Sequence, residues 1–145
     1  MDLTRSFAAG QFARGLEAWE WIGLGGKDPM FASLFGDVFF RSDAGLWWLD
    51  TLEGQLTLEW PTDGALEAVL ATPDGQDRYL LAGLAMGAER RGLILGREEI
   101  YVFEQPPLLG GPVELGNIGK IDFAVGLHLA GQLHERIRAS ASQKG

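Results

Sequence analysis

The stretch from Leu34 to Trp60 constrains this chain most, because three apolar segments are separated there by two short clusters of turn residues. Leu34 to Arg41 is rich in Phe and Val, and Leu46-Trp47-Trp48-Leu49 is a second apolar run. Gln55 to Trp60 alternates, with Leu56, Leu58 and Trp60 on one side and Gln55, Thr57 and Glu59 on the other. Ser42-Asp43-Ala44-Gly45 and Asp50-Thr51-Leu52-Glu53-Gly54 join them. A parallel pair would need a crossover of roughly a dozen residues, so these strands must pair antiparallel as a meander. The alternating third strand has one wet face, whereas the second, apolar throughout, is covered on both.

Elements on either side supply the cover. Gly10 to Ile22 reads as a helix, with Phe12, Leu16, Trp19 and Ile22 at three- and four-residue spacing, closed by Gly23-Leu24-Gly25-Gly26. Asp63 is read as the N-cap of a helix carrying Leu66, Val69 and Leu70, which Pro73-Asp74-Gly75 breaks. A second helix over residues 77–88 carries Leu80, Leu81, Leu84 and Ala85. Glu99 to Phe103 is a strand stopped by Pro106-Pro107, and Val113-Glu114-Leu115 is a further short one. The final helix, residues 120–138, places Ile121, Val125, Leu129, Leu133 and Ile137 on a face expected to pack on the sheet, with 139–145 as a frayed tail. The expected fold class is α/β in the α+β sense: an antiparallel β-meander of about four to five strands packed against helices, including a long C-terminal helix. Residues 1–145 form one domain, with no repeat or linker.

Composition narrows the function. With no cysteine, a disulfide framework, thiol catalysis and cysteine-ligated metal are excluded. Met1 to Phe7 lack the pattern of a signal peptide, and the longest apolar stretch, Tyr79 to Ala88, is about half a membrane span, so the expected location is cytoplasmic with no membrane partner. The net charge of −8 disfavours nucleic acid as a direct ligand and suits a basic partner. Between Ser42 and Asp77 stand Asp43, Asp50, Glu53, Glu59, Asp63, Glu67, Asp74 and Asp77, with no Lys or Arg.

No catalytic pattern emerges. His128 and His134 are six apart, about 600° around a helix, and cannot share a metal as an i, i+4 pair would. Gly23-Leu24-Gly25-Gly26-Lys27-Asp28 lacks the first glycine of a P-loop and the hydroxyl after its lysine. Asp43 to Gly54 has neither the central glycine nor the final glutamate of a calcium loop. No cofactor or metal is expected, and the chain reads as a binding protein and not an enzyme. Trp47 and Trp48 must point to opposite faces of their strand: one can fill the core, and the other either lies under a helix or stays partly exposed as an interface anchor flanked by Asp43, Asp50 and Glu53.

Leu34-Phe35-Gly36-Asp37-Val38-Phe39-Phe40 and Asp43-x-Gly45-x-x-Trp48-Leu49-Asp50-Thr51-x-x-Gly54-x-Leu56 make one motif block. Pro106-Pro107-x-Leu109-Gly110-Gly111, Asn117, Asp122 and Gly131-Gln132-Leu133-His134 make a second, more specific one. Together, from about Trp19 to Ile137, they resemble the C-terminal domain of type VI secretion DNase-immunity proteins, a domain often found after a GAD-like domain. At this length the chain has room for that second domain only. It also departs from the pattern at Gly96-Arg97-Glu98-Glu99-Ile100-Tyr101, where a tighter glycine turn is expected.

The resemblance implies an immunity protein, an antitoxin that binds and neutralises a cognate nuclease effector through an acidic surface. Gly36, Asp37, Pro107, Gly110, Gly111, Asn117, Gly131, Gln132 and His134 would then be structural: the glycines for backbone geometry, Asn117 and Gln132 for local hydrogen bonds. Partner contacts would fall on Asp43, Trp47, Trp48, Asp50, Glu53, Glu59, Asp63 and Glu67. Two alternatives stay open: a regulatory protein-interaction module with no toxin partner, and an enzyme or small-ligand binder built on a deep polar pocket around His128, His134 or Asp122. Oligomeric state, toxin identity and the mode of inhibition are also open.

Overall fold

The computed structural model describes residues 1–144 and has an α+β fold. A five-stranded antiparallel sheet runs in the order β1 (Thr4–Arg5), β2 (Asp28–Ser33), β3 (Val38–Ser42), β4 (Gly45–Asp50) and β5 (Gln55–Trp60). Helix α1 (Ala9–Leu16) continues as a 3-10 turn, Glu17–Ile22. After the sheet come α2 (Asp63–Leu70), α3 (Pro73–Leu80) and α4 (Ala82–Arg90), then a two-stranded hairpin of β6 (Glu99–Phe103) and β7 (Ile118–Asp122). Helix α5 (Phe123–Lys144) closes the fold.

The meander pairs Phe39 with Trp48 and Phe40 with Trp47, so alternate residues serve two cores. On one face Val38, Phe40, Trp47 and Leu49 pack against Phe12 and Leu16 of α1, Trp19, and Phe123 and Leu127 of α5. On the other, Phe39, Leu46, Trp48 and Trp60 meet Leu66 of α2 and Tyr79 and Leu80 of α3. A third cluster packs Ala85 and Ala88 of α4 on Tyr101, Phe103 and Ile118 of the hairpin, together with Leu34 and Phe35. Tyr101 N–H donates to Leu34 O (2.7 Å) and ties this hairpin to the sheet.

Several local expectations are corrected. Leu34–Asp37 is a turn and not strand: Gly36 has φ +89°, and Ser33 Oγ accepts from the N–H groups of Phe35 and Asp37. The strand before it, β2, was hidden because Asp28-Pro29 disfavours strand, and a register irregularity at Pro29/Phe31 accommodates the proline. The segment expected as one helix to Ile22 is α-helical only through Leu16. Pro73 opens a helix where a break was expected: it sits in the first turn of α3, capped by Thr72 Oγ1, which accepts from Gly75 N–H. Likewise Thr62, not Asp63, caps α2. The helix read over 77–88 is two, joined at Leu81 with φ +51°. Val113–Leu115 is no strand; the partner of β6 is Ile118–Asp122, which had been assigned largely to the final helix.

The largest correction concerns α5. Val125 and Leu129 are 50% and 52% exposed, while Phe123, Ala124, Leu127, Gly131 and His134 face the core. A strict four-residue spacing advances about 400° per step and winds off any single helical face. The true core face mixes Phe123, Leu127 and His134 with small residues where α5 lies closest to its neighbours: a Cβ on Gly131 would stand 2.7 Å from Ala18 O, and one on Gly15 would stand 2.6 Å from a Leu127 methyl. The helix also runs to Lys144, so the tail expected to fray from Ala139 is helical that far; Gly145 lies outside the described residues.

Close approach recurs between α2 and α3, where a Cβ on Gly75 would fall 1.9 Å from Val69 O. Gly75→Ala is expected to cost about 1–3 kcal/mol through overpacking, read as a lower urea midpoint with an unchanged slope.

Candidate functional site

The two motif blocks, far apart in sequence, meet at the β4–β5 turn. Asp50 closes that turn by accepting from Leu52 N–H (3.0 Å) and Glu53 N–H (3.3 Å), and Gly54 completes it at φ +68°. Asp37, buried, accepts from both the N–H (2.9 Å) and the hydroxyl of Thr51. Burial pushes the Asp37 carboxyl up to about 7, the nearby Asp50 adds to this, and the Thr51 donors and Trp48 indole oppose it. Burial likewise raises Asp50, against the two N–H groups of its turn. From α5, His134 donates Nε2–H to Thr51 O (2.8 Å), since a carbonyl can only accept. Its ring lies 5.5 Å from the ring of Trp19 and so close over Gly54 that a Cβ there would stand 2.5 Å from Nδ1.

Asn117 organises the other end. Its Nδ2 donates to Gln105 O (2.8 Å) and Pro112 O (2.9 Å), and its Oδ1 accepts from Gln105 N–H (2.9 Å). The Pro107–Leu109 turn is thereby pinned, with Gly110 at φ +95° and Gly111 against Gln105 O. Gly36 lies against Ile100, and Gly131 against Ala18. Gln132 is exposed on α5, outside the Asn117 and His134 networks.

Between these two anchored ends lies a groove of about 320 Å³. Val102 and Ile121 of the hairpin, Leu129 and Leu133 of α5, and Pro107 give it an apolar lining, and Thr51 and His134 close one end. Among the described residues Glu104 is its one carboxylate, and no Lys or Arg lines it. Three of the five residues of the expected stripe, Ile121 of β7 and Leu129 and Leu133 of α5, therefore border this groove.

The expected partner surface does not form one face. Asp43 lies in the β3–β4 turn and Asp50 and Glu53 in the β4–β5 turn, at opposite ends of a strand about 17 Å long. Glu59 is half-buried and accepts from Thr57 Oγ1 (2.9 Å) and Tyr79 OH (3.3 Å). Asp63 pairs with Arg41 at 2.7 Å, and Glu67 is exposed on α2. Neither tryptophan is a free anchor. Trp47 donates to Ser42 Oγ (2.8 Å) and carries Lys27 Nζ 4.3 Å from its ring centroid. Trp48 lies under α3, edge-on to Tyr79, and its buried N–H has no hydrogen-bond partner among the described residues. That N–H favours the ionised form of Asp37 without closing a hydrogen bond to it. A meander sends successive turns to opposite ends, and Arg41 and Lys27 return through tertiary pairing, so acidity contiguous in sequence is dispersed in space.

His128, His134 and Asp122 do not build a polar pocket together. His128 Nδ1 bonds Arg14 O (3.0 Å), joining α5 to α1, and Asp122 Oδ2 accepts from Val125 N–H (3.1 Å) at the start of α5. Among the described residues no group of three or more His, Asp or Glu side chains is placed to hold a metal ion, and no helix is long and apolar enough to cross a membrane.

No family model matches the sequence, and no curated protein matches it significantly. Among solved structures, the crystal structure of Atu4351 from Agrobacterium tumefaciens is similar, with a TM-score of 0.54 and 17% identity over 90% of this chain and 66% of that one. This chain thus spans just under two thirds of that protein's length, and what the two share is the α+β fold.

Proposed function

We propose that this chain is an immunity protein: in the cytoplasm it binds a cognate type VI secretion effector, a nuclease, and blocks its activity. The observation that carries the reading is the interlocking of the two motif blocks, His134 of the second donating to Thr51 of the first across 83 positions. Asp37, Thr51, Gly54, Asn117 and His134, all within the two motif blocks or the stretch they span, hold the fold in this way, and the surface between them is available to recognise a partner. This chain's net charge of −8 suits binding to an effector whose own substrate is a polyanion, because a cleft that binds phosphate must be basic.

Co-expression with the effector encoded by the neighbouring gene tests this. Growth rescue and a co-purifying complex that weakens as salt rises are the expected results. Toxicity unrelieved by this chain, with no complex, would refute the proposal. Asp50 is a poor residue for charge reversal because it holds its turn, whereas Glu53 is exposed. Glu53→Lys is expected to slow association several-fold and flatten its salt dependence, measured by surface plasmon resonance.

A further inference from the structure

We infer that the groove between α5 and the β6–β7 hairpin is the docking site for an apolar segment of a protein partner flanked by Lys or Arg. The inference rests on reading the chain as a protein-binding domain, and it moves the contact surface away from the dispersed acids of the sheet.

The shape comes first. A concavity of about 320 Å³ lies within the range of sites that bury an apolar group. Its walls are held from within: the Asn117 clamp fixes the Pro107 side and the His134–Thr51 bond fixes the opposite end. Gly126 lets α5 close onto the hairpin, since a Cβ there would stand 2.8 Å from Ile121. The groove therefore needs little ordering on binding, which spares a partner part of the entropic cost.

Its mouth is apolar and open to water. Leu129 on α5 is 52% exposed and Leu109, beside the Pro107 wall, is 58% exposed. Leu129 belongs to the lining and Leu109 directly follows the lining residue Leu108, so solvent-facing leucine stands at the edge of an apolar depression.

Charge selects the occupant. Among the described residues the lining holds Glu104 and no Lys or Arg, and the wall at Thr51-Leu52 continues directly into exposed Glu53. Arg136, a turn beyond Leu133, is not part of the lining. Acid at the edge of an apolar slot fits leucine- or phenylalanine-type side chains with basic neighbours. A second copy of this chain fits poorly, because two bodies each carrying −8 repel.

The test uses two short synthetic amphipathic peptides, one of Leu and Lys and one of Leu and Glu, titrated into the full chain by calorimetry and by amide NMR shifts. The Leu/Lys peptide is expected to bind about tenfold or more tightly than the Leu/Glu one, with shifts confined to residues 51–53, 100–109 and 121–134. Leu129→Ser, at an exposed position that folding does not depend on, is expected to weaken it about tenfold, as is Glu104→Lys. Asp74→Lys on α3 changes net charge equally at an exposed position outside the groove lining, and should leave affinity within about twofold. Equal loss from Glu104→Lys and Asp74→Lys, shifts elsewhere, indifference to Leu129→Ser, or no binding would each overturn the inference. Growth rescue by the Leu129→Ser, Glu104→Lys double variant at wild-type level would overturn it too while leaving the immunity reading standing; failure of the wild-type chain to rescue would instead remove that reading.

Discussion

Raising the pH from 5 to 8 is expected to destabilise the protein by roughly 2–3 kcal/mol through Asp37 alone. This carboxyl is buried, and its pKa rises from 3.8 in the open chain to about 7 in the fold. Between those values the folded state holds a proton that the unfolded state has released. Stability from this group is therefore complete below about pH 4 and is lost as pH climbs through about 7. Asp50, also raised by burial, adds a slope of the same sign. Asp37→Asn keeps an oxygen for both Thr51 donors and removes the titration. Urea unfolding at pH 5 and pH 8 is expected to show the wild type losing stability and the variant losing much less. Parallel losses in the two proteins would place the effect elsewhere.

Trp19→Ala is expected to cost about 3–5 kcal/mol, the range for emptying a large core aromatic site. Trp19 is fully buried where the 3-10 turn, α5 and the sheet meet, and its Nε1–H donates to Leu127 O at 2.8 Å. Its ring lies beside Trp21 and His134, and its edge is in close contact with Gly131. Loss of the indole opens a cavity that these neighbours, held by their own hydrogen bonds, cannot fill. Trp19→Phe keeps most of the packing and loses the N–H, for a cost of about 1–2 kcal/mol. In thermal melts the alanine variant should fall by roughly 10 °C and the phenylalanine variant by less than half of that. A Trp19→Ala protein melting with the wild type would mean that α5 repacks, contrary to the close contacts at Gly15 and Gly131.

Much of the fold was legible because β4, β5 and β6 announce themselves by apolar runs between turn clusters. The hidden elements share one physical cause: their side chains carry weak signals. Asp28-Pro29 disguises β2, and Ile118-Gly119-Lys120-Ile121-Asp122 merges into the helix that follows. Helix α5 was placed correctly but turned wrongly, because glycine and alanine mark its closest contacts and larger residues mark its open side. At the site, the motif residues could be chosen as a set, but their meeting could not be foreseen, since Asp37, Thr51, Gly54 and His134 converge only through tertiary pairing. The acidic run misled for the complementary reason: residues close in sequence were separated by the strand between their turns.

The two sides of α5 have different evolutionary freedom. Inward, Gly131 and Leu127 are locked by contacts that leave no room for a larger atom, so change there is paid in folding. Outward, Val125, Leu129, Gln132 and Arg136 face water, where substitutions alter stability little. That outer row can be rewritten one position at a time, with each intermediate still folded. Such a helix would let specificity drift across generations while the scaffold beneath it stands still.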